Sequence, residues 1–117
     1  MRKEDKDTFM LDEKLKNQLK AKYPKLYVTE LDNGQQVVWH PLTRKEYRDI
    51  VAVVDENKTD TEIIMSRQED TCRRCIVYPG KEELEKLIQE SAGVATTICD
   101  EVYAKSGFNM TKKTQEL

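Results

Sequence analysis

The sequence predicts an α+β fold, mainly helical, with one β-hairpin at about residues 26–39 packed on four to five short helices. Three observations carry this. Two β-like runs flank Asp32-Asn33-Gly34. Thr43 with Glu46, and Thr59 with Glu62, each write a helix start in which side chain and backbone cap one another. Most other apolar residues recur at helical spacing.

The elements follow in order. Leu11, Leu15 and Leu19 repeat every four residues among lysines, predicting a short amphipathic helix from Leu11 to Tyr23. Pro24 ends it, because the residue before a proline avoids helical angles. Residues 26–31 and 35–39 read as strands, and the Asn33-Gly34 step is expected to supply the positive φ angles of a tight turn. Two strands alone are marginal in water, so the hairpin must lie on helices or on a partner. Pro41 closes the second strand. A helix over 44–54 follows, with Leu42 and Tyr47 at hydrophobic-staple spacing and Tyr47, Ile50, Val51 and Val54 on one face.

The second capping box opens a longer helix expected to reach Val77. Its looser apolar face holds Ile63, Ile64, Met65, Cys72, Cys75 and Ile76, and Tyr78-Pro79-Gly80 stops it. Lys81 to Gln89 makes a short helix with Leu84, Leu87 and Ile88 inward. Ser91 or Gly93 interrupts it. A final helix then carries Ala95, Ile98, Cys99 and Val102. Gly107 is expected to turn left-handed, letting Phe108 fold back on Tyr103. Residues 1–8 and 109–117 read as flexible ends of a single domain spanning 1–117.

Composition narrows the function. Apolar residues are 38% and charged residues 36% of the 117, so the core is thin or completed by a partner. The net charge of −2 argues against general polyanion binding. Lys14 to Lys25 holds five lysines and no acid, whereas Asp55 to Asp70 holds six acids. These are read first as two solvated helix faces, and second as complementary patches for head-to-tail self-association. Charged residues at the amino end lead into no apolar run, and no stretch approaches the length of a membrane span. The expectation is therefore no signal peptide, no membrane, a reducing cytoplasm and free thiols.

Candidate chemistry is sparse. Cys72-Arg73-Arg74-Cys75, with Cys99 and His40, offers four zinc ligands on paper. Cysteines at i and i+3 inside a helix fit core packing better, and free cysteine is among the most buried residues. A redox role would want Cys72 at a helix N-terminus, but it falls near a C-terminus. His40, the sole histidine, has no nucleophile beside it in sequence. No glycine cluster cradles a phosphate. Lys14–Lys25 with Tyr23 and Tyr27 is the best nucleic-acid candidate, and nothing there reads bases. Trp39, Tyr47 and Tyr103 are either core aromatics or the lining of a partner groove. The expectation is no catalytic residue, no metal and no cofactor.

Pro41-Leu42-Thr43-Arg44-Lys45-Glu46-Tyr47 after a strand pair resembles small tail assembly chaperones and related tail-region proteins of bacteriophages. The likeness continues in a cysteine-bearing helix leading to Tyr78-Pro79, in Ala92-Gly93-Val94-Ala95 through Ile98, and in Ser106-Gly107-Phe108. It spans roughly residues 26–108 and omits the lysine-rich first helix and the tail. The resemblance implies a non-enzymatic protein of the host cytoplasm that binds the tape-measure protein or another tail component. Its alternative is a structural protein of tail or baseplate, incorporated in the virion. A small zinc- or nucleic-acid-binding regulator is the reading held in reserve. Capping accounts for Thr43 and Glu46, and stapling for Leu42 and Tyr47. Arg44, Lys45 and Arg48 are left over, and they are the expected partner-binding residues.

Overall fold

The structure, a computed structural model, describes residues 11–108, 110 and 112–117. Its elements are α1 (Glu13–Lys22), β1 (Tyr27–Glu30), β2 (Gln36–Trp39), α2 (Arg44–Ala52), α3 (Asp60–Cys75), β3 (Ile76–Tyr78), α4 (Lys81–Glu90) and α5 (Val94–Tyr103), with a final turn at Ala104–Phe108. The fold is α+β and mainly helical, as the sequence predicts. The expected flexible stretch 1–8 lies outside the described residues, as do positions 109 and 111. Met110 and residues 112–117 are exposed and carry no regular structure.

Strand order is β1-β2-β3, antiparallel throughout. Gly34 turns the hairpin at φ 88°, but among the described residues no non-glycine residue has a positive φ. The turn therefore uses one left-handed residue rather than two. Asn33 contributes through its side chain, whose Oδ1 accepts from the Gln35 backbone N–H at 3.0 Å.

β3 corrects the expected helix to Val77. α3 stops at Cys75, and Ile76, the residue that caps it, is already extended. Two forces favour a strand here. Ile76-Val77-Tyr78 is a β-branched and aromatic run, and Pro79 keeps Tyr78 out of the helical region. Val38 pairs with Tyr78 and Trp39 with Ile76, and the His40 N–H donates to Cys75 O at 3.0 Å. β2 thereby becomes a central strand, with Val37, Val38 and Trp39 all buried.

The two faces of β2 meet different neighbours. Val37 and Trp39 join one core with Leu42, Ile50, Cys72, Cys75, Ile76, Leu84, Leu87, Ile88, Ala95, Ile98 and Val102. Each large apolar side chain fully buried there stabilises by roughly 1.5–3 kcal/mol before entropy is charged. α3 and α5 make the most extensive helix–helix contact. The opposite face, carrying Gln36, Val38 and His40, meets the α1 segment. The Leu11 N–H donates to Gln36 Oε1 at 3.0 Å, and Tyr23 stacks on His40 at 5.6 Å between ring centroids.

Several inward assignments fail. α1 buries no residue completely. Val54 is 72% exposed, because α2 ends at Ala52 and Val53 is already extended. Ile64 and Met65 are also exposed. Ile63, Ile64 and Met65 are consecutive, and a helix turns about 100° per residue, so three in a row cannot all face inward.

Candidate partner-binding groove

The junction after β2 is built as its sequence dictates. The Glu46 N–H donates to Thr43 Oγ1 at 3.2 Å, and the Thr43 N–H donates to Glu46 Oε1 at 2.9 Å. This reciprocal cap starts α2 at Arg44 and leaves Leu42 buried beneath it. The far end of α5 arrives alongside. The Leu42 N–H donates to Ser106 Oγ at 2.8 Å, and Ser106 donates in turn to Val102 O. Gly107, at φ 100°, reverses the chain. Phe108 then lies 5.0 Å from both Tyr47 and Tyr103, and Tyr103 meets Tyr47 edge-on at 6.0 Å. Such aromatic pairs contribute about 0.5–1.5 kcal/mol beyond their buried area.

Two open recesses result. One, of about 230 Å³, is lined by Leu42, Thr43, Arg44, Tyr47, Ser106, Gly107 and Phe108. The other, of about 420 Å³, is lined by Pro41, Leu42, Ala104, Lys105, Ser106, Gly107 and Met110. They share Leu42, Ser106 and Gly107, so together they form one trough. Phe108 (49% exposed) and Met110 (78% exposed) present apolar surface along it. The trough therefore lies between the start of α2 and the end of α5. Trp39 takes no part in it. That ring is 1% exposed, stacks on Tyr27 at 4.9 Å and donates Nε1–H to Thr29 Oγ1 at 2.8 Å.

The three expected partner-binding residues are all exposed on α2. The Arg44 guanidinium lies 5.7 Å above the Tyr47 ring. Lys45 pairs with Asp49 at 3.0 Å. Arg48, one turn after Arg44, makes no ion pair or hydrogen bond among the described residues. Sequence reasoning missed Lys105 on the opposite bank, with its ammonium 5.6 Å above the Tyr27 ring. It also missed the Ser106 clasp, since Ser106-Gly107 signals only a helix end.

The other chemical candidates sit elsewhere. Cys72, Cys75 and Cys99 are free and buried. Burial pushes the Cys72 and Cys75 thiols up to about 12 and raises Cys99 as well. Cys72 donates its S–H to Ala95 O at 3.5 Å. His40 faces two backbone carbonyls, Nδ1 against Pro41 O at 2.9 Å and Nε2 against Arg74 O at 3.1 Å. Among the described residues no group of three or more His, Cys, Asp or Glu side chains is placed to hold a metal ion. A further cleft, of about 410 Å³, separates the hairpin turn from the α4–α5 elbow, and it has no aromatic lining. Among the described residues no helix is long and apolar enough to cross a membrane. Comparison with protein-family models, with curated proteins and with solved structures gave no match for this chain.

Proposed function

We propose that the chain is a non-enzymatic assembly protein of a bacteriophage tail, acting in the host cytoplasm by holding a helix of the tape-measure protein or another tail component. One observation supports this above the rest. The segment that resembles tail assembly chaperones, Pro41 to Tyr47, forms one bank of the trough, and Ser106-Gly107-Phe108 forms the other. A chaperone for long apolar helices needs an apolar groove with a charged rim. Tyr47, Phe108 and Met110 supply the apolar surface, and Arg44 and Lys105 the charge, with Arg48 exposed one turn beyond Arg44.

Co-expression tests the reading. A tape-measure fragment that aggregates alone is expected to stay soluble with this chain and to co-purify with it. Capture of no tail protein from infected cells would refute the proposal. Finding the chain in washed, mature particles would move the role from transient chaperone to structural component of the tail.

A further inference from the structure

We infer that the trough selects a partner helix whose apolar anchor is flanked by carboxylates. This rests on the reading of the trough as a receptor for a helix, and it specifies the chemistry of what is received.

A helix N-terminus carries partial positive charge, so anions are favoured there and cations are not. Arg44 and Lys45 nevertheless occupy the first two helical positions, and Arg48 follows one turn later. Lys45 is answered by Asp49. Arg44 touches only the face of Tyr47, and Arg48 has no carboxylate partner among the described residues. Lys105, on the other bank, forms no ion pair there either, although Glu101 stands one turn before it on α5. Glu46, the nearest acid to Arg44 in sequence, is occupied by the cap. The trough therefore presents apolar surface at Leu42, Tyr47, Phe108 and Met110, and its two lining cations, Arg44 and Lys105, lie over aromatic rings with no carboxylate partner among the described residues.

That combination favours one occupant over others. An apolar helix without acids would leave the cations unanswered. A strand of nucleic acid would want ring faces free for stacking, whereas Tyr47, Tyr103 and Phe108 are packed against one another. An amphipathic helix with glutamates beside its apolar stripe satisfies both floor and banks.

Three synthetic helical peptides of equal length test this by fluorescence anisotropy with the full chain. The first has a leucine stripe flanked by glutamates. The second keeps the stripe and replaces the glutamates by lysines. The third keeps the glutamates and replaces the leucines by serines. The first is expected to bind roughly tenfold tighter than either of the others at low salt, with the charge-dependent part shrinking as salt rises. The double variant Arg44→Glu, Arg48→Glu should reverse the preference between the first two. Urea unfolding of the double variant checks its fold, and at position 44 the new carboxylate suits the helix dipole. Phe108→Ser should weaken both leucine peptides. Equal binding of the glutamate and lysine peptides, or equal binding after charge reversal, would overturn the inference. So would tight binding of the serine peptide, displacement by single-stranded DNA, or self-association abolished by Phe108→Ser. If a tape-measure fragment binds but ignores the charge reversal, the assembly role survives and this inference fails. If the glutamate peptide obeys the charge rule while no tail protein is captured, this inference stands without that role.

Discussion

Ser106→Ala should loosen the trough by removing a side-chain hydrogen bond that joins its banks. Leu42 is buried at 8% exposure, and its N–H donates to Ser106 Oγ at 2.8 Å. Loss of that acceptor leaves a part-buried backbone donor without its partner, at a cost towards the lower end of about 1–3 kcal/mol. Alanine is the better helix former, which returns a few tenths of a kcal/mol in the last turn. The net expectation is destabilisation of about 1–2 kcal/mol. With a urea m-value of about 2 kcal/mol per molar, the middle of the range for a small protein, the unfolding midpoint should fall by roughly 0.5–1 M.

Two controls separate this from a general helix effect. Ser106→Thr keeps the hydroxyl and should lose clearly less. Amide exchange should accelerate at Leu42 more than at buried amides of α3, because the damage begins at the clasp. An unchanged midpoint together with unchanged protection at Leu42 would refute the reasoning, since water would then serve that N–H equally well.

Three further outcomes follow from other parts of the structure. Thr43→Ala should cost about 1 kcal/mol by urea unfolding while Thr43→Ser stays within a few tenths, because serine keeps the capping oxygen. Arg73 donates to Glu85 through Nε at 2.7 Å and Nη2 at 3.1 Å, which holds the Glu85 carboxyl below its ordinary 4.5. A lowered folded value means stability that is present above 4.5 and lost as pH falls through the lowered value. Glu85→Gln should therefore flatten part of the acid limb of a stability–pH curve, and at neutral pH it should cost only about a few tenths of a kcal/mol, because both partners are more than a third exposed. Cys72, Cys75 and Cys99, buried and with raised pKa values, should react with a disulfide reagent at mildly alkaline pH only when urea unfolds the chain. A rapid burst of labelling in the folded protein would show that the thiols are accessible.

What was legible in the sequence was what is decided locally. The caps at Thr43 and Thr59, the turn at Gly34 and the reversal at Gly107 each depend on residues within one turn of one another. Leu84, Leu87, Ile88, Ala95, Ile98, Cys99 and Val102 were legible too, because both final helices are amphipathic. β3 was not. Its residues continue an apolar run out of α3, and only pairing with β2, far upstream, makes them a strand. The near bank of the trough was legible as a capping junction, and of the three expected partner-binding residues Arg44 lines it. Arg44, Lys45 and Arg48 emerged by elimination, once capping and stapling had explained their neighbours. Their opposite bank was hidden because Leu42 and Ser106 are 64 residues apart, and no local pattern announces a contact at that separation.

α2 and α3 differ in where they place their charges. Both helices open with the same Thr–Glu capping box. After it, α3 places Asp60 and Glu62 in its first turn and Arg73 and Arg74 in its last, the arrangement that favours its own dipole. α2 places Arg44 and Lys45 first and has no basic residue in its last turn. One chain thus uses one capping solution with two opposite charge patterns. The charges of α3 serve α3: Arg73 reaches Glu69, Asp70 and Glu85. Among the described residues Arg44 gains only the face of Tyr47 and Arg48 has no carboxylate partner, and Arg44 lines the open trough. By the dipole alone, the first position of α2 would favour an acid over Arg44. Charge reversal at Arg44 should therefore leave α2 at least as stable while weakening capture of an acidic helix, and that opposition separates a binding role from a structural one.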